Sequence, residues 1–214
     1  NIINDSIEKV MEQYENDALN DIARSAFIKK QVKDTSTETV NALVKHIRSG
    51  NFLPREYELR IAHGRVDRVD TFEDGNNIYV KVIDYKSGNK VFNVTETFLG
   101  LQMQLMVYLK DTVDYIKKNN PDKNVYPAAG LYFHVYDPYV SEIDCEKAVS
   151  DFRKKNPDSE LSDEELKKVA IEGERFKAYR MSGLVAKEIE IVNAMDHNTI
   201  TKTGSSAILP VNIT

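Results

Sequence analysis

"GRVDRVDTFEDGNNIYVKVIDYKSG", Gly64 to Gly88, decides the fold. Apolar alternation runs through Val66 and Val69, stops at Gly75-Asn76-Asn77, and resumes through Val80, Val82 and Ile83. Gly and Asn accept positive φ, so this reads as a β-hairpin. With the turn centred between Gly75 and Asn76, the register sets Asp67 opposite Asp84. Residues two apart in a strand share a face, which puts Lys86 beside Asp84. Opposed carboxylates with Cβ atoms roughly 5 Å apart destabilise a sheet unless a proton or a cation lies between them. A hard cation such as Mg²⁺ or Mn²⁺ is the natural partner, since it prefers carboxylate oxygen and is commonly held by one or two carboxylates plus a substrate phosphate. Lys86 would then stand beside that phosphate. An isolated D-x-K usually marks a surface salt-bridge ladder, here among Asp67, Arg68, Asp84 and Lys86. Val80, Val82, Ile83 and Tyr85, however, make both faces apolar, as in a central strand.

On the N-terminal side, helical stripes run from Ile7 through Tyr14, from Leu19 through Phe27, and from Val40 through Ile47, with a soft cap signal at Ser36-Thr37. Gly50 to Pro54 breaks the helix, and Tyr57, Leu59 and Ile61 begin a strand. On the C-terminal side, a helix is expected over Thr95 to Lys118, with a stripe of Phe98, Leu101, Leu105, Leu109 and Ile116. Gln102 falls inside that stripe, where a polar amide needs a partner, and Gln104 and Tyr108 flank it at i, i+4. Ala128 to Val140 reads as a buried strand. The charged stretch Ser141 to Arg180 carries a Ser162 to Glu165 capping box, and a last helix is expected near Leu184 to Asn193. The order is helices, three strands, helix, strand, an α/β class. The expected division is a core with N-terminal helices over 1–140, a charged, partly helical insertion over 141–180, and the rest of the same domain over 181–214.

The 214 residues are 41% hydrophobic and 29% charged, enough for a real core. A formal charge of −5 excludes whole-chain attraction to a polyanion, so nucleic-acid contact needs a local patch or metal ions. Cys145 is the only cysteine, which excludes an internal disulfide or multi-cysteine cluster and suits a reducing, cytoplasmic compartment. No apolar run approaches the ~20 residues of a membrane span, so a soluble chain is expected. The lack of an initiating Met and the irregular close at "ILPVNIT" read as a piece of a longer polypeptide. His63 beside Gly64 is a candidate phosphate contact, though a strand-end histidine is more often a plain surface residue. The "DFRKK" and "ELKK" runs read as solvated faces.

The succession "GRVDRVD", "IDYKSG" and "GLQMQLMVYL" resembles the RecB-like branch of the PD-(D/E)XK nuclease superfamily. Within it, with "PAAGLYFHVYDPYV" and "RMSGLVAKEIEIVNAMD", the chain most resembles the C-terminal nuclease domain of the B subunit of AddAB-type helicase-nucleases. That resemblance implies a restriction-endonuclease-like core, a central mixed sheet in the order αβββαβ flanked by helices. It implies a bacterial, nucleoid-associated DNA nuclease that works with the helicase-carrying A subunit on single strands during double-strand-break resection. By position it makes Asp67 and Asp84 metal ligands, Lys86 the catalytic lysine and Gln102 the motif glutamine. Glu58, preferred over Glu56, matches the glutamate ahead of the strands as a further ligand. Arg68, Tyr85, Gln104 and Tyr108 are candidate DNA or phosphate contacts, while Asp70 falls on the opposite face from Asp67. His46 does not match the family's early-helix histidine. The related subunit brackets its nuclease domain with four cysteines that hold an iron-sulfur cluster, and none is matched here, so either they lie outside this stretch or this member lacks the cluster. A catalytically silent nuclease-like scaffold that guides DNA or docks a helicase is the competing class.

Overall fold

The computed structural model describes residues 4–10, 22–88, 91–197 and 209. The expected stripe positions between Met11 and Asp21 lie outside the described residues. Helix α1 (Ile22–Arg48) runs without a break through Ser36-Thr37, where the sequence suggested a start. Thr37 spends its hydroxyl on the Lys33 carbonyl at 2.8 Å, one turn back, and so caps nothing.

The hairpin forms as its turn chemistry dictates. After β1 (Leu53–Ile61), strands β2 (Gly64–Asp74) and β3 (Asn77–Lys86) pair antiparallel, with Asp74 opposite Asn77 and Arg68 opposite Ile83. Gly75 takes φ +56° at the turn. The chain leaves β3 through a short helix α2 (Val94–Phe98) and a longer α3 (Gln104–Asn119), then returns as β4 (Asn124–His134), parallel to β3. That crossover is what a parallel neighbour requires. Two charged helices follow, α4 (Glu142–Lys155) and α5 (Asp163–Ala178), the latter opened by the expected Ser162–Glu165 capping box. A four-residue strand β5 (Ser182–Val185) closes antiparallel on β4, and α6 (Ile189–Met195) ends the described fold. The mixed sheet has the order β1-β2-β3-β4-β5 and helices on both faces. Among the described residues, no helix is long and apolar enough to cross a membrane.

Three further elements differ from expectation. The strand expected over Ala128 to Val140 starts earlier and stops sooner, as β4 spans Asn124–His134 and the residues from Val135 to Val140 lie outside it. The single helix over Thr95 to Lys118 is two helices, because Gly100 adopts φ +80° and turns the chain between them. Phe98 and Leu101, expected in the buried stripe, are 89% and 73% exposed. The helix expected near Leu184 to Asn193 begins only at Ile189, since Ser182 to Val185 is taken as the edge strand.

One sheet face packs Val69, Val80, Val82 and Ile78 against Tyr108, Leu109, Val113 and Ile116 of α3. The other packs Ile83, Leu131 and Phe133 with Phe52, Ala42 of α1, and Val192 and Met195 of α6. Burying each such large side chain contributes about 1.5–3 kcal/mol. Within this second face lies a charged cluster. Asp70, fully buried, accepts from Arg68 Nε at 2.6 Å and Nη2 at 2.7 Å, and Lys81 Nζ stands 3.0 Å away over the Phe52 ring. Burial opposes the Arg68 charge, but the Asp70 carboxylate outweighs it and holds the guanidinium above its usual range. Lys81 is pushed down by burial, against the pull of Asp70.

His46 of α1 sits over this cluster between Phe133 and Phe176, and neither ring nitrogen has a hydrogen-bond partner among the described residues. Burial first, then the charges of Lys81 and Arg68, lower its pKa to about 3. In the unfolded chain His46 titrates near 6.5. Between those values the unfolded state binds the extra proton, so this contribution to stability is complete above about pH 6.5 and falls away as the pH drops toward 3. Urea melts at pH 7 and pH 5 are expected to show His46→Leu losing about 2 kcal/mol less than the wild type over that interval. Equal losses in both proteins would contradict a neutral, buried His46.

Candidate metal and phosphate site

Opposite the charged cluster, at the ends of β2 and β3 nearest α3, the acidic pair comes together. One step along the ladder beyond Arg68 and Ile83 stand Asp67 and Asp84. Asp67 continues the ladder with its side chain: Oδ2 accepts the Tyr85 backbone N–H at 2.7 Å, leaving Oδ1 outside that bond. Asp84 is 4% exposed and is ion-paired through Oδ2 with Lys86, which is less deeply buried. The ammonium also donates to Gln104 Oε1 at 3.2 Å and lies 5.4 Å from the centre of the Tyr132 ring. Gln104 Nε2 points to Asp84 Oδ1 at 3.4 Å and donates to the Tyr108 hydroxyl at 3.1 Å. Asp84, Lys86 and Gln104 thus close a ring of polar contacts, with Tyr108 beneath it. The Tyr132 phenol is held above its ordinary pKa by burial and by the Asp84 charge, so it stays a neutral hydroxyl at pH 7.

The structure brings together Asp67, Asp84, Lys86, Gln104 and Tyr108. It does not bring in Gln102. That side chain is buried in the connector before α3, where Oε1 accepts from Asn93 N–H at 3.0 Å and Nε2 donates to the Val91 carbonyl and to Glu96. Gln102 therefore braces the loop, and Gln104 is the glutamine that reaches the carboxylate. Glu58 is exposed and pairs with Arg65 Nε at 2.7 Å. Arg68 is spent on Asp70, and the Tyr85 hydroxyl faces Arg68 at 3.5 Å, so both lie on the sheet face away from Asp84. The preferred ligand set of Asp67, Asp84 and Glu58 is not gathered. Among the described residues no group of three or more His, Cys, Asp or Glu side chains could hold a metal ion.

Two carboxylates suit a hard cation. Opposed on neighbouring strands they repel, Lys86 offsets only part of that repulsion, and neither thiol nor imidazole is in the set. A pair that leaves most coordination positions to water and phosphate is the usual way Mg²⁺ is bound.

The sequence pattern of the PD-(D/E)XK nuclease superfamily matches residues 3–193. This chain belongs to that superfamily. Members of the PD-(D/E)XK superfamily generally use divalent metal ions, which agrees with the oxygen-only character of the pair. The B subunit of the ATP-dependent helicase/deoxyribonuclease of Clostridioides difficile (strain 630) is 31% identical over 92% of this chain and 17% of its own length. The protein of the same name from Thermoanaerobacter sp. (strain X514) is 29% identical over 99% of this chain and 18% of its own. That of Lachnoclostridium phytofermentans is 34% identical over 67% and 14%. The chain thus spans less than a fifth of the length of these relatives. Among solved structures, a repair endonuclease from Pyrococcus abyssi aligns at 20% identity with a TM-score of 0.27, over 56% of this chain and 43% of that one.

Proposed function

We propose that this chain is a metal-dependent deoxyribonuclease domain that hydrolyses DNA phosphodiester bonds. It would be part of a helicase-nuclease B subunit that works with its helicase partner, the A subunit, in double-strand-break resection and recombinational repair. The observation that carries this reading is the convergence of Asp67, Asp84 and Lys86 on one sheet face, with Gln104 closing the cluster.

Asp67 and Asp84 would hold Mg²⁺ or Mn²⁺, with Glu58 joining them only if its carboxylate left Arg65. A cation bound there supplies Lewis-acid charge at the scissile phosphate and makes water a stronger acid. The Tyr85 N–H fixes the Asp67 carboxylate so that it need not reorganise during reaction. Lys86 places an ammonium where negative charge builds up on the phosphate, and can orient the attacking water. Gln104, held by Tyr108 and facing both Lys86 and Asp84, offers an amide that positions that water or a phosphate oxygen. None of these groups reads a base, so the site would act on backbone without sequence preference, and a single strand fed by a helicase is the fitting substrate.

The test pairs calorimetry with Mg²⁺ or Mn²⁺ and cleavage of a labelled single-stranded oligonucleotide. Asp84→Asn is expected to lose both metal binding and at least about 10²-fold in cleavage rate. Wild-type cleavage in that variant would sink the assignment. Metal binding by a wild type that cuts nothing, with the full-length polypeptide and its helicase partner restored, would favour a silent scaffold.

A further inference from the structure

The connector that carries the chain from β3 to α3 has almost no core of its own. From Val91 to Met103, Gln102 is the one buried residue, 7% exposed, while Val91, Val94, Phe98, Leu99 and Leu101 face outward. Helix α2 buries none of its side chains. Apolar burial therefore does not hold this segment in place, and hydrogen bonds must do so.

One amide supplies three of them. Gln102 Oε1 accepts the Asn93 N–H at 3.0 Å, and Nε2 donates to the Val91 carbonyl at 3.3 Å and to the Glu96 carboxylate. The amide oxygen and both amide protons are thereby used. The Thr97 hydroxyl lies 3.0 Å from the Asn93 carbonyl and 3.4 Å from that of Gln102, and the Phe92 N–H reaches the Ser182 hydroxyl of β5 at 3.3 Å. The stretch ahead of Gly100 is thus folded back onto the residue that stands two before Gln104.

Both ends of the connector lead to site residues, Lys86 and Gln104, whose side chains meet at 3.2 Å. The sheet fixes the Lys86 end, where the Lys86 carbonyl accepts the Val135 N–H at 2.9 Å. The Gln104 end has less to hold it. Met103 precedes α3 without a side-chain cap, so the first turn of that helix lacks the usual restraint. Gln104 stands between two buried residues: Leu105, which seats the helix on the sheet, and Gln102, which fixes the chain leading into it.

We propose that Gln102 is a positioning residue: by pinning the connector it sets where α3 begins, and so holds the Gln104 amide on Lys86 and Asp84. This rests on the nuclease reading above. The hydrogen bonds of the Gln102 side chain stay within the connector, so its effect on the reaction passes through Gln104.

The test is single-turnover cleavage of a labelled single-stranded oligonucleotide in Mn²⁺, with calorimetry for the metal. Gln102→Leu is expected to slow the chemical step by about 10–10²-fold, up to the loss that a displacement of about 1 Å brings. Metal affinity should stay at the wild-type value, because Asp67 and Asp84 lie on the sheet. Against a Gln104→Ala background the same substitution should change the rate by less than about twofold, since no amide is left to misplace. Gln102→Glu sets a carboxylate against Glu96 and is expected to be as slow as Gln102→Leu. Adding Glu96→Gln restores that hydrogen bond with donor and acceptor exchanged, and should recover most of the rate. A wild-type rate for Gln102→Leu, equal losses in the two backgrounds, or no recovery in the exchanged pair would overturn the proposal, while Asp84-dependent cleavage would leave the nuclease reading standing. A wild type that cuts nothing, with the full-length polypeptide and its helicase partner restored, overturns both.

Discussion

Lys86→Ala is expected to keep metal binding and to slow cleavage by about 10²–10³-fold, the usual cost of removing one group that meets developing charge. The two effects separate because Lys86 does two jobs with one ammonium. In the resting chain it neutralises Asp84, a carboxylate only 4% exposed, and holds Gln104 at 3.2 Å. Without it the Asp67–Asp84 pair is left with less compensation, and a divalent cation is drawn in at least as strongly. During reaction, however, no other side chain of the cluster can add positive charge to that of the metal: Gln104 is an amide, and Tyr108 and Tyr132 are phenols. Lys86→Arg should recover only part of the rate, since the planar fork cannot sit on both Asp84 and Gln104 as a point charge does. Single-turnover cleavage with calorimetry in Mn²⁺ checks this. Equal loss of metal binding and cutting would mean that Lys86 acts only by placing Asp84.

The parts of this site that lie on the hairpin are legible because a tight turn fixes register. Gly75 and Asn76 leave little choice of turn centre, and from there Asp67, Asp84 and Lys86 follow by counting. The glutamine was not legible in the same way. Placing Gln102 in a buried stripe assumes that helical phase runs unbroken from Thr95, and Gly100 resets that phase. The signals were present in Asn93, whose side chain caps Thr95 and Glu96, and in Gly100 itself, which together delimit a five-residue helix. Gln104 then begins a new helix with its own phase. The cluster of Arg68, Asp70 and Lys81 was hidden for a different reason. Charged residues alternating along a strand read as a solvent face, and only the packing of α1 and α6 over that face makes it interior. Helical periodicity shows that α1 has a buried side; it does not show which side of a sheet that will cover. β5, four residues with a glycine, is too short for alternation to register.

That hidden cluster sets the second large effect. Asp70→Ala should destabilise the fold by about 3–5 kcal/mol, a large share of the roughly 5–15 kcal/mol that holds a typical domain together. Among the described residues Asp70 is the anion that faces two buried cations, Arg68 at 3% and Lys81 at 5% exposure, with a neutral His46 above them. Its removal leaves both positive charges without that counter-ion in a place water does not reach. Lys81→Met should cost much less, since Arg68 and Asp70 then remain a balanced, bidentate pair, and it should raise the His46 pKa by removing one of the charges that depress it. Asp70→Leu with Arg68→Met and Lys81→Met should recover most of the loss, because an apolar replacement removes the whole desolvation cost at once. The damage should also reach the opposite face. Arg68 follows Asp67 in β2, and the Tyr85 hydroxyl touches Arg68 while the Tyr85 N–H holds the Asp67 carboxylate. Asp70→Ala, assayed at a temperature where it remains folded, is therefore expected to bind metal more weakly than the wild type. Urea midpoints order the three variants, and a near-wild-type midpoint for Asp70→Ala would show that Arg68 and Lys81 can escape to solvent.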